Sequence, residues 1–374
     1  MSHLVRGFVA VQPRLLFSLL DATEAGGQRV ALAIGEALAG RGWSLGVLAP
    51  APGRAIDAFE RLGARFHQAD LHSLRNAADL PAAARALRSY DVLYSHTSIP
   101  GEILGGLAAR VARRPHVVHR HTPVHLSPTS TIRPVQSVLY RIVMRDTPVI
   151  AVSQHVRSSV LRLGVRVDRV SVVSNGARGS IEPSPPRREG RLRIGLLGRI
   201  DPQKGMDVFL EAASMLDGYD VEFVIGGIGG GFPGYERRVR NRARELGVEI
   251  LDTASQGLEF LSALDIVVMP SRWEGSPITL FEAMALQKAI VASEIPGISE
   301  VLRPHKAGLL VQPTDPKATG NAIRHLVEDA HLRITLSSSA RAASAGYAEE
   351  PAVQEAVATL REALDDARPA QHPN

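Results

Sequence analysis

The chain alternates short apolar runs with amphipathic stretches of helical period, and turn residues separate them. Arg14–Leu20, Ser44–Ala49, Asp91–His96, Val117–His119, Val149–Val152 and Ser171–Ser174 read as strands in the first half. Helical runs fall between them, at Arg29–Ala39 (closed by Gly40 and Gly42), Pro81–Arg88 and Glu102–Ala112. The stretch Ile181–Gly190 has three prolines and four charges in ten residues, a composition that packs poorly and predicts a linker. A second series follows. Its strands are Leu192–Leu197, Val221–Ile225, Val248–Leu251, Ile266–Met269, Ala289–Ser293 and Gly308–Val311, and its helices include Met206–Leu216, Tyr235–Leu246, Leu280–Leu286 and a terminal Pro351–Ala367. Strand–helix alternation on both sides of a linker predicts two α/β doubly wound parallel-sheet domains, with ligands outside the carboxyl ends of the strands.

The turns at those ends carry the candidate chemistry. After Ile266–Met269 comes Pro270-Ser-Arg-Trp-Glu274-Gly275-Ser276-Pro277. Ser276 is read as a helix N-cap and Pro277 as the first helical residue, so free amides at Ser276, Ile278 and Thr279 and the helix dipole form an anion site. Glu274 before the helix and Glu282 inside it flank that site, as suits a ligand with vicinal hydroxyls as well as phosphates. After Leu192–Leu197, Gly198-Arg199 and Lys204-Gly205 place an Arg fork and a Lys point charge on a strand-to-helix turn, a pair suited to a diphosphate. Gly26 and Gly27 sit in the first strand-to-helix turn, where backbone can approach a phosphate. His96, His119 and His121 fall at strand ends. They are read against metal ligation, because they come from separated strands with no acid or Cys at ligand spacing. Gly226–Gly231 is read as a flexible loop.

Composition narrows the class. The 374 residues are 45% hydrophobic and 22% charged, with no cysteine, so disulfides and thiolate metal sites are excluded and a reducing cytosol fits. No stretch approaches a membrane span, and Arg6, Gln12, Pro13 and Arg14 interrupt the N-terminal apolar pieces, so no signal peptide is read. Net charge is +5 and the pI about 9.8. A solvated Arg-rich surface is preferred over a face that docks on anionic lipid, and the basic amphipathic run Val135–Arg145 is read first as a core-facing helix with solvated arginines. Aromatics are 5% and no nucleic-acid module is present.

Two of these stretches resemble one family. Glu274 and Glu282, with seven residues between them, are similar to the E-x7-E motif of glycosyltransferase family 4, retaining enzymes of the GT-B fold. Gly198-Arg199 to Lys204-Gly205 is similar to its G-R-x4-K-G motif. Ala151-Val-Ser153 to Asn175-Gly176 and Pro296–Glu300 extend the resemblance; Gln287-Lys288-Ala289 departs from the usual Gly-Lys-Pro. The resemblance implies a retaining hexosyltransferase and an N-terminal acceptor domain (1–180), a linker (181–190) and a donor domain (191–350), with a helix near 351–367 crossing back. Arg199 and Lys204 would bind the donor diphosphate with Gly198, Gly275 and the helix amides. Glu282 would hold the ribose, Glu274 the sugar, and Gly26 and Gly27 would lie near the phosphates. His121 is implied as the sugar-positioning histidine, with His119 the runner-up; the Asp that usually follows is Thr122 here. His96 and Asn175 are further candidates. The implied donor is a nucleoside diphosphate sugar, UDP by default, and the implied acceptor a saccharide or lipid-linked saccharide of the cell envelope. No metal is implied, and no D-x-D occurs. An anionic membrane surface is a further partner under this reading, at the inner face of a membrane. The alternatives are a non-catalytic nucleotide-sugar binder or scaffold, a nucleotide-sugar epimerase, and a peripheral membrane protein.

Overall fold

The structure is a computed structural model and describes residues 12–22, 26–124, 134–253 and 256–367. Two parallel sheets organise it. The first has seven strands: β1 (Arg14–Leu19), β2 (Ser44–Ala49), β3 (Arg65–Gln68), β4 (Val92–His96), β5 (His116–Arg120), β6 (Val149–Ala151) and β7 (Val170–Val172). Their order is β3-β2-β1-β4-β5-β6-β7, all pairs parallel. The second has six: β8 (Leu192–Leu197), β9 (Val221–Gly226), β10 (Glu249–Leu251), β11 (Ile266–Met269), β12 (Ala289–Ser293) and β13 (Leu309–Val311), in the order β10-β9-β8-β11-β12-β13. This is the GT-B architecture of two doubly wound units.

Helices cover both faces of each sheet, so the central strands are buried throughout: every residue of β4, β5, β11 and β12 is buried. That is why β11 reads as a continuous apolar run; β4, β5 and β12 bury polar residues as well, among them Ser95, His96, His116, His119, Arg120 and Ser293. The strand β3 was not expected. It is an edge strand, Arg-Phe-His-Gln, with no fully buried residue, so it carries no apolar run. The helix Glu349–Asp366 packs Val353, Ala356, Val357 and Leu360 into the core of the first sheet, beside Leu15, Phe17, Ile34 and Leu38.

The chain passes twice between the units, and the two passages are hydrogen-bonded to each other. Ala177 N–H donates to Tyr347 O and Glu349 N–H to Ala177 O, both at 2.9 Å. The proline-rich stretch 181–190 does not hang free. Arg341 donates to Ile181 O at 3.1 Å, Lys288 Nζ to Ser184 O, and Arg333 to Arg187 O and Arg188 O at 2.8 and 3.0 Å. Arg187 in turn forks onto Asp265, with the shortest contact at 2.6 Å. Buried cations thus fasten this stretch along the second unit.

Candidate active site

The carboxyl ends of β8 and β11 hold the cationic turn and the two acids. Asp201 Oδ1 accepts from Lys204 N–H at 3.2 Å and closes a single turn over Pro202–Lys204. Gly205 follows with φ 68°, and a Cβ there would lie 2.1 Å from Pro270 O, so both conformation and space require glycine. Arg272 ties this turn to the next loop by donating to Pro202 O at 2.6 Å and to Asp207 at 3.1 and 2.7 Å. Glu274 is 6% exposed. Its Oε1 accepts from Lys204 Nζ at 2.6 Å and from Ser271 Oγ at 2.9 Å, and its Oε2 from Gln203 at 3.3 Å. Arg199 pairs with Asp201 at 2.9 Å and remains nearly half exposed at the cleft.

Glu282 is 5% exposed, and its partner comes from the first unit: Arg29 Nη2 donates to Oε1 at 2.8 Å. Ser276 is not the N-cap. Pro277 adopts an extended backbone (φ −75°, ψ 120°), so the helix begins at Ile278 and runs to Ala285. The Ser276 hydroxyl instead accepts from Asn175 N–H at 3.2 Å, and Asn175 Nδ2 donates to Ser276 O at 2.7 Å. Gly26 and Gly27 are the first residues of the helix Gly26–Ala39, not a turn before it. A Cβ at Gly26 would lie 3.9 Å from Ile278 Cδ1. The first residues of the two helices therefore lie close together, with Lys204 held by Glu274 in the loop before the second, an arrangement of positive charge suited to an anion of two phosphates.

The units touch at Gly275. A Cβ there would sit 1.9 Å from His121 O, so this approach is open to glycine alone. Beside it, Glu300 accepts from Gln154 N–H and His155 N–H at 3.0 and 2.9 Å, across the cleft and at the start of the helix Gln154–Arg162.

The three histidines form one cluster, because β4 and β5 are neighbours in the sheet. The expectation that separated strands keep them apart is therefore corrected. His96 is the last residue of β4 and His119 the next to last of β5, at strand ends as expected, and both are buried, 3% and 2% exposed. His121 follows β5 and is partly exposed. His96 Nδ1 and His121 Nε2 are 2.9 Å apart, and His119 Nδ1 is 2.7 Å from Tyr94 OH. Ligating nitrogens of all three come within 4.8 Å of one another. The His119 and His121 rings, however, stack at 4.6 Å and 10°, so their in-plane lone pairs run side by side and do not converge on one point. As arranged, this is a hydrogen-bonded stack and does not fit a metal ion. Burial holds all three in the neutral form, reinforced for His96 by His119 and His121; His121 is pushed down to about 3 by burial and by Arg120.

The support for His121 was missed in the sequence. Arg120 is buried, donates from Nη1 to Glu102 Oε1 at 2.9 Å, and from Nε to Thr122 O at 2.9 Å. The pair fixes the turn that presents His121, and its partners lie 18 residues apart on different elements. The role of Arg29 was missed for the same reason: 253 residues separate it from Glu282.

Comparison with known proteins decides the family. Residues 25–178 match the model of Glycosyltransferase Family 4 and residues 178–343 that of Glycosyl transferases group 1. An alpha-maltose-1-phosphate synthase of Mycolicibacterium smegmatis is 32% identical over 272 residues, 65% of this chain and 67% of that one. The chain belongs to glycosyltransferase family 4. It is a transferase of glycosyl groups. An alpha-D-kanosaminyltransferase of Streptomyces kanamyceticus is 27% identical over 259 residues, covering 63% of this family 4 chain and 67% of its own length. The crystal structure of Anabaena HepE in complex with UDP-glucose superposes with a TM-score of 0.79 at 21% identity, covering 93% of this chain and 99% of that one. Among the described residues no helix is long and apolar enough to cross a membrane.

Proposed function

We propose that this glycosyltransferase moves a sugar from a nucleoside diphosphate sugar, UDP being the favoured carrier, to a hydroxyl of a saccharide or lipid-linked saccharide, with retention at the anomeric carbon. The observation that carries this is the close approach of the first residues of two helices, with Arg199 and Lys204 on the second unit, in a cleft whose other wall presents His121. Arg199 and Lys204 would take up the charge that develops on the leaving diphosphate, helped by the amides of Gly275, Ser276, Ile278 and Thr279 and by Gly198, Gly26 and Gly27. Glu282 would exchange Arg29 for the ribose hydroxyls. Glu274 would hold the sugar hydroxyls and favour the positive charge growing at the anomeric carbon. His121, kept neutral by burial, would position the sugar as a hydrogen-bond partner and not as an acid. The acceptor hydroxyl would pass its proton to the leaving phosphate, since no side chain in the cleft is assigned as nucleophile. The cations and helix termini serve the charge neutralisation that a metal would otherwise supply.

The HepE complexes with UDP, with UDP and glucose, and with UDP-glucose support the choice of carrier. The test is calorimetric and thermal-shift titration with UDP, GDP and ADP, each with and without Mg²⁺ or Mn²⁺, on the wild type and on Lys204→Ala. UDP is expected to bind without added metal, and Lys204→Ala to weaken it about 10-fold or more, the scale of one charge-assisted hydrogen bond. Failure of all three nucleotides under both conditions, or equal UDP affinity in the variant, overturns the reading.

A further inference from the structure

His121 meets the loop that carries Glu274, and its ring is held on several sides. The backbone is fixed by the approach of Gly275, where a Cβ would sit 1.9 Å from His121 O. The plane of the ring is fixed by His119, which stacks on it at 4.6 Å and 10°. Tyr94 OH, 2.7 Å from His119 Nδ1, holds that neighbour in turn. Rotation within the plane is fixed by His96, whose Nδ1 lies 2.9 Å from His121 Nε2. Gly27 packs on the same edge, so that a Cβ there would sit 3.4 Å from Nε2. These contacts occupy Nε2. They leave Nδ1, which is shut from solvent and has no partner among the described residues, although His121 itself is partly exposed. A buried polar atom without a partner is costly, and a ligand hydroxyl satisfies it.

The bond between the two rings also limits what Nδ1 can do. A neutral imidazole has one N–H and one bare nitrogen. Burial holds both rings neutral. A single proton therefore lies between His96 Nδ1 and His121 Nε2. If it belongs to His121, then His121 Nδ1 is bare and accepts. If it belongs to His96, then His121 Nδ1 carries a proton and donates. Two N–H groups, or two lone pairs, facing each other at 2.9 Å would repel. A lone histidine exchanges between its tautomers, whereas here neither ring can change without the other.

We propose that His96 is a positioning residue for the donor sugar: by holding His121 Nε2 it leaves Nδ1 as the nitrogen that meets the sugar and keeps that nitrogen in one hydrogen-bonding role. This rests on the reading of His121 as the residue that positions the sugar. It goes further by naming the ring nitrogen that makes the contact, and by assigning its presentation to a side chain 25 residues away on the neighbouring strand. The consequence is selectivity. A nitrogen locked in one role disfavours a sugar that lacks the matching hydroxyl, because the atom then stays buried and unpaired.

The test is nitrogen NMR of the full chain labelled in histidine, on the wild type, His96→Leu and His96→Asn, with His121 assigned by the signals lost in His121→Gln. At neutral pH the wild type is expected to show His121 in a single neutral tautomer, and His96→Leu to mix the two. Both tautomers in the wild type, or a single one retained in His96→Leu, overturns the proposal. UDP, UDP-glucose, UDP-galactose and UDP-N-acetylglucosamine are then added in turn. At least one UDP-sugar is expected to shift His121 Nδ1 where UDP does not. That sugar should bind His96→Leu about tenfold more weakly, while UDP affinity stays within about twofold. His96→Asn, which keeps a polar atom beside Nε2, should recover most of the loss. UDP-sugars that bind without shifting Nδ1, equal losses for UDP and UDP-sugar, or no recovery in His96→Asn overturns it. Should His96→Leu not fold, the wild-type tautomer and the Nδ1 shift decide alone. Failure of UDP itself to bind falls on the donor reading, and the tautomer comparison still decides whether His96 holds His121.

Discussion

Lys204 and Glu274 make the closest ion pair between the two site motifs, and their coupling should respond to the donor. The Nζ–Oε1 distance is 2.6 Å, with side-chain exposures of 18% and 6%. Breaking a buried pair from one side costs about 3–5 kcal/mol, because the remaining charge is stranded. Here Glu274 keeps donors from Ser271 and Gln203 and Lys204 keeps some solvent, so Lys204→Ala is expected to destabilise by about 2–3 kcal/mol. Glu274→Gln preserves an acceptor and should cost about 1–2 kcal/mol. The double variant strands neither charge, and a coupling of about 2 kcal/mol is expected. The assay is urea unfolding of the four proteins, first alone and then at saturating UDP. A diphosphate that engages Lys204 competes for the same ammonium protons, so with UDP bound the coupling should fall below about 1 kcal/mol. A coupling near 2 kcal/mol in both conditions would mean that Lys204 stays on Glu274 throughout, and would refute its phosphate role. Coupling near zero in both would mean that the contact itself contributes nothing.

Two further outcomes follow from the scaffold. His116 is 7% exposed at the start of β5, with Nε2 2.8 Å from Ser95 Oγ, and burial together with Arg110 pushes it down to about 3. A histidine held neutral contributes stability that is complete above its unfolded value near 6.5 and is lost as pH falls towards 3; at pH 5 the loss is about 2 kcal/mol. Denaturant unfolding between pH 7.5 and pH 5 should therefore weaken the wild type about 2 kcal/mol more than His116→Gln, and parallel curves would count against this burial argument. Gln287 ends the helix Ile278–Ala285 with φ 60°, a left-handed conformation that costs a side-chain-bearing residue about 1 kcal/mol. Gln287→Gly should raise stability by up to about that amount in a melting experiment, and a loss would show that the Gln287 side chain contributes more than the strain removes.

Much of the fold was legible because parallel strands covered on both faces tend to read as apolar runs, as β11 does throughout and β4 and β12 do over their first residues; β5, His-Val-Val-His-Arg, was read only through its Val117–His119 centre. The edge strand β3 was not, since an edge has little to bury. The site motifs were legible where chemistry and turn fall on one contiguous stretch, as with Arg199 and Lys204. Contacts that depend on strand order or on the meeting of the two units were not. The His96–His119–His121 cluster exists because β4 and β5 pair. Glu282 meets Arg29, and Ser276 meets Asn175, only because the second unit lies against the first. The local rule that favours serine as an N-cap lost to that contact and to the extended backbone at Pro277.

The fastening of 181–188 bears on where the units can turn. Domain closure that assembles the cleft needs backbone free to change its dihedral angles. The proline-rich stretch looks suited by composition, yet Arg341, Lys288, Arg333 and Asp265 hold its backbone to the second unit. Rotation there would strand buried cations, each at a cost of several kcal/mol. The two passages at Ala177 and at Tyr347–Glu349 are joined by a pair of backbone hydrogen bonds and by Arg178, whose Nε lies 3.8 Å from Glu349 Oε2, and Gly179 nearby has φ 68°. Both passages sit side by side, so a twist about that point would turn one unit against the other, although Ala177 and Ile181 there are buried in the second unit's core. The contacts that such a twist would release are those that close the cleft: Gly275 on His121, Glu300 on the helix Gln154–Arg162, and Arg29 on Glu282. Any turn of one unit against the other is therefore better placed at the paired crossing than at the prolines that follow it.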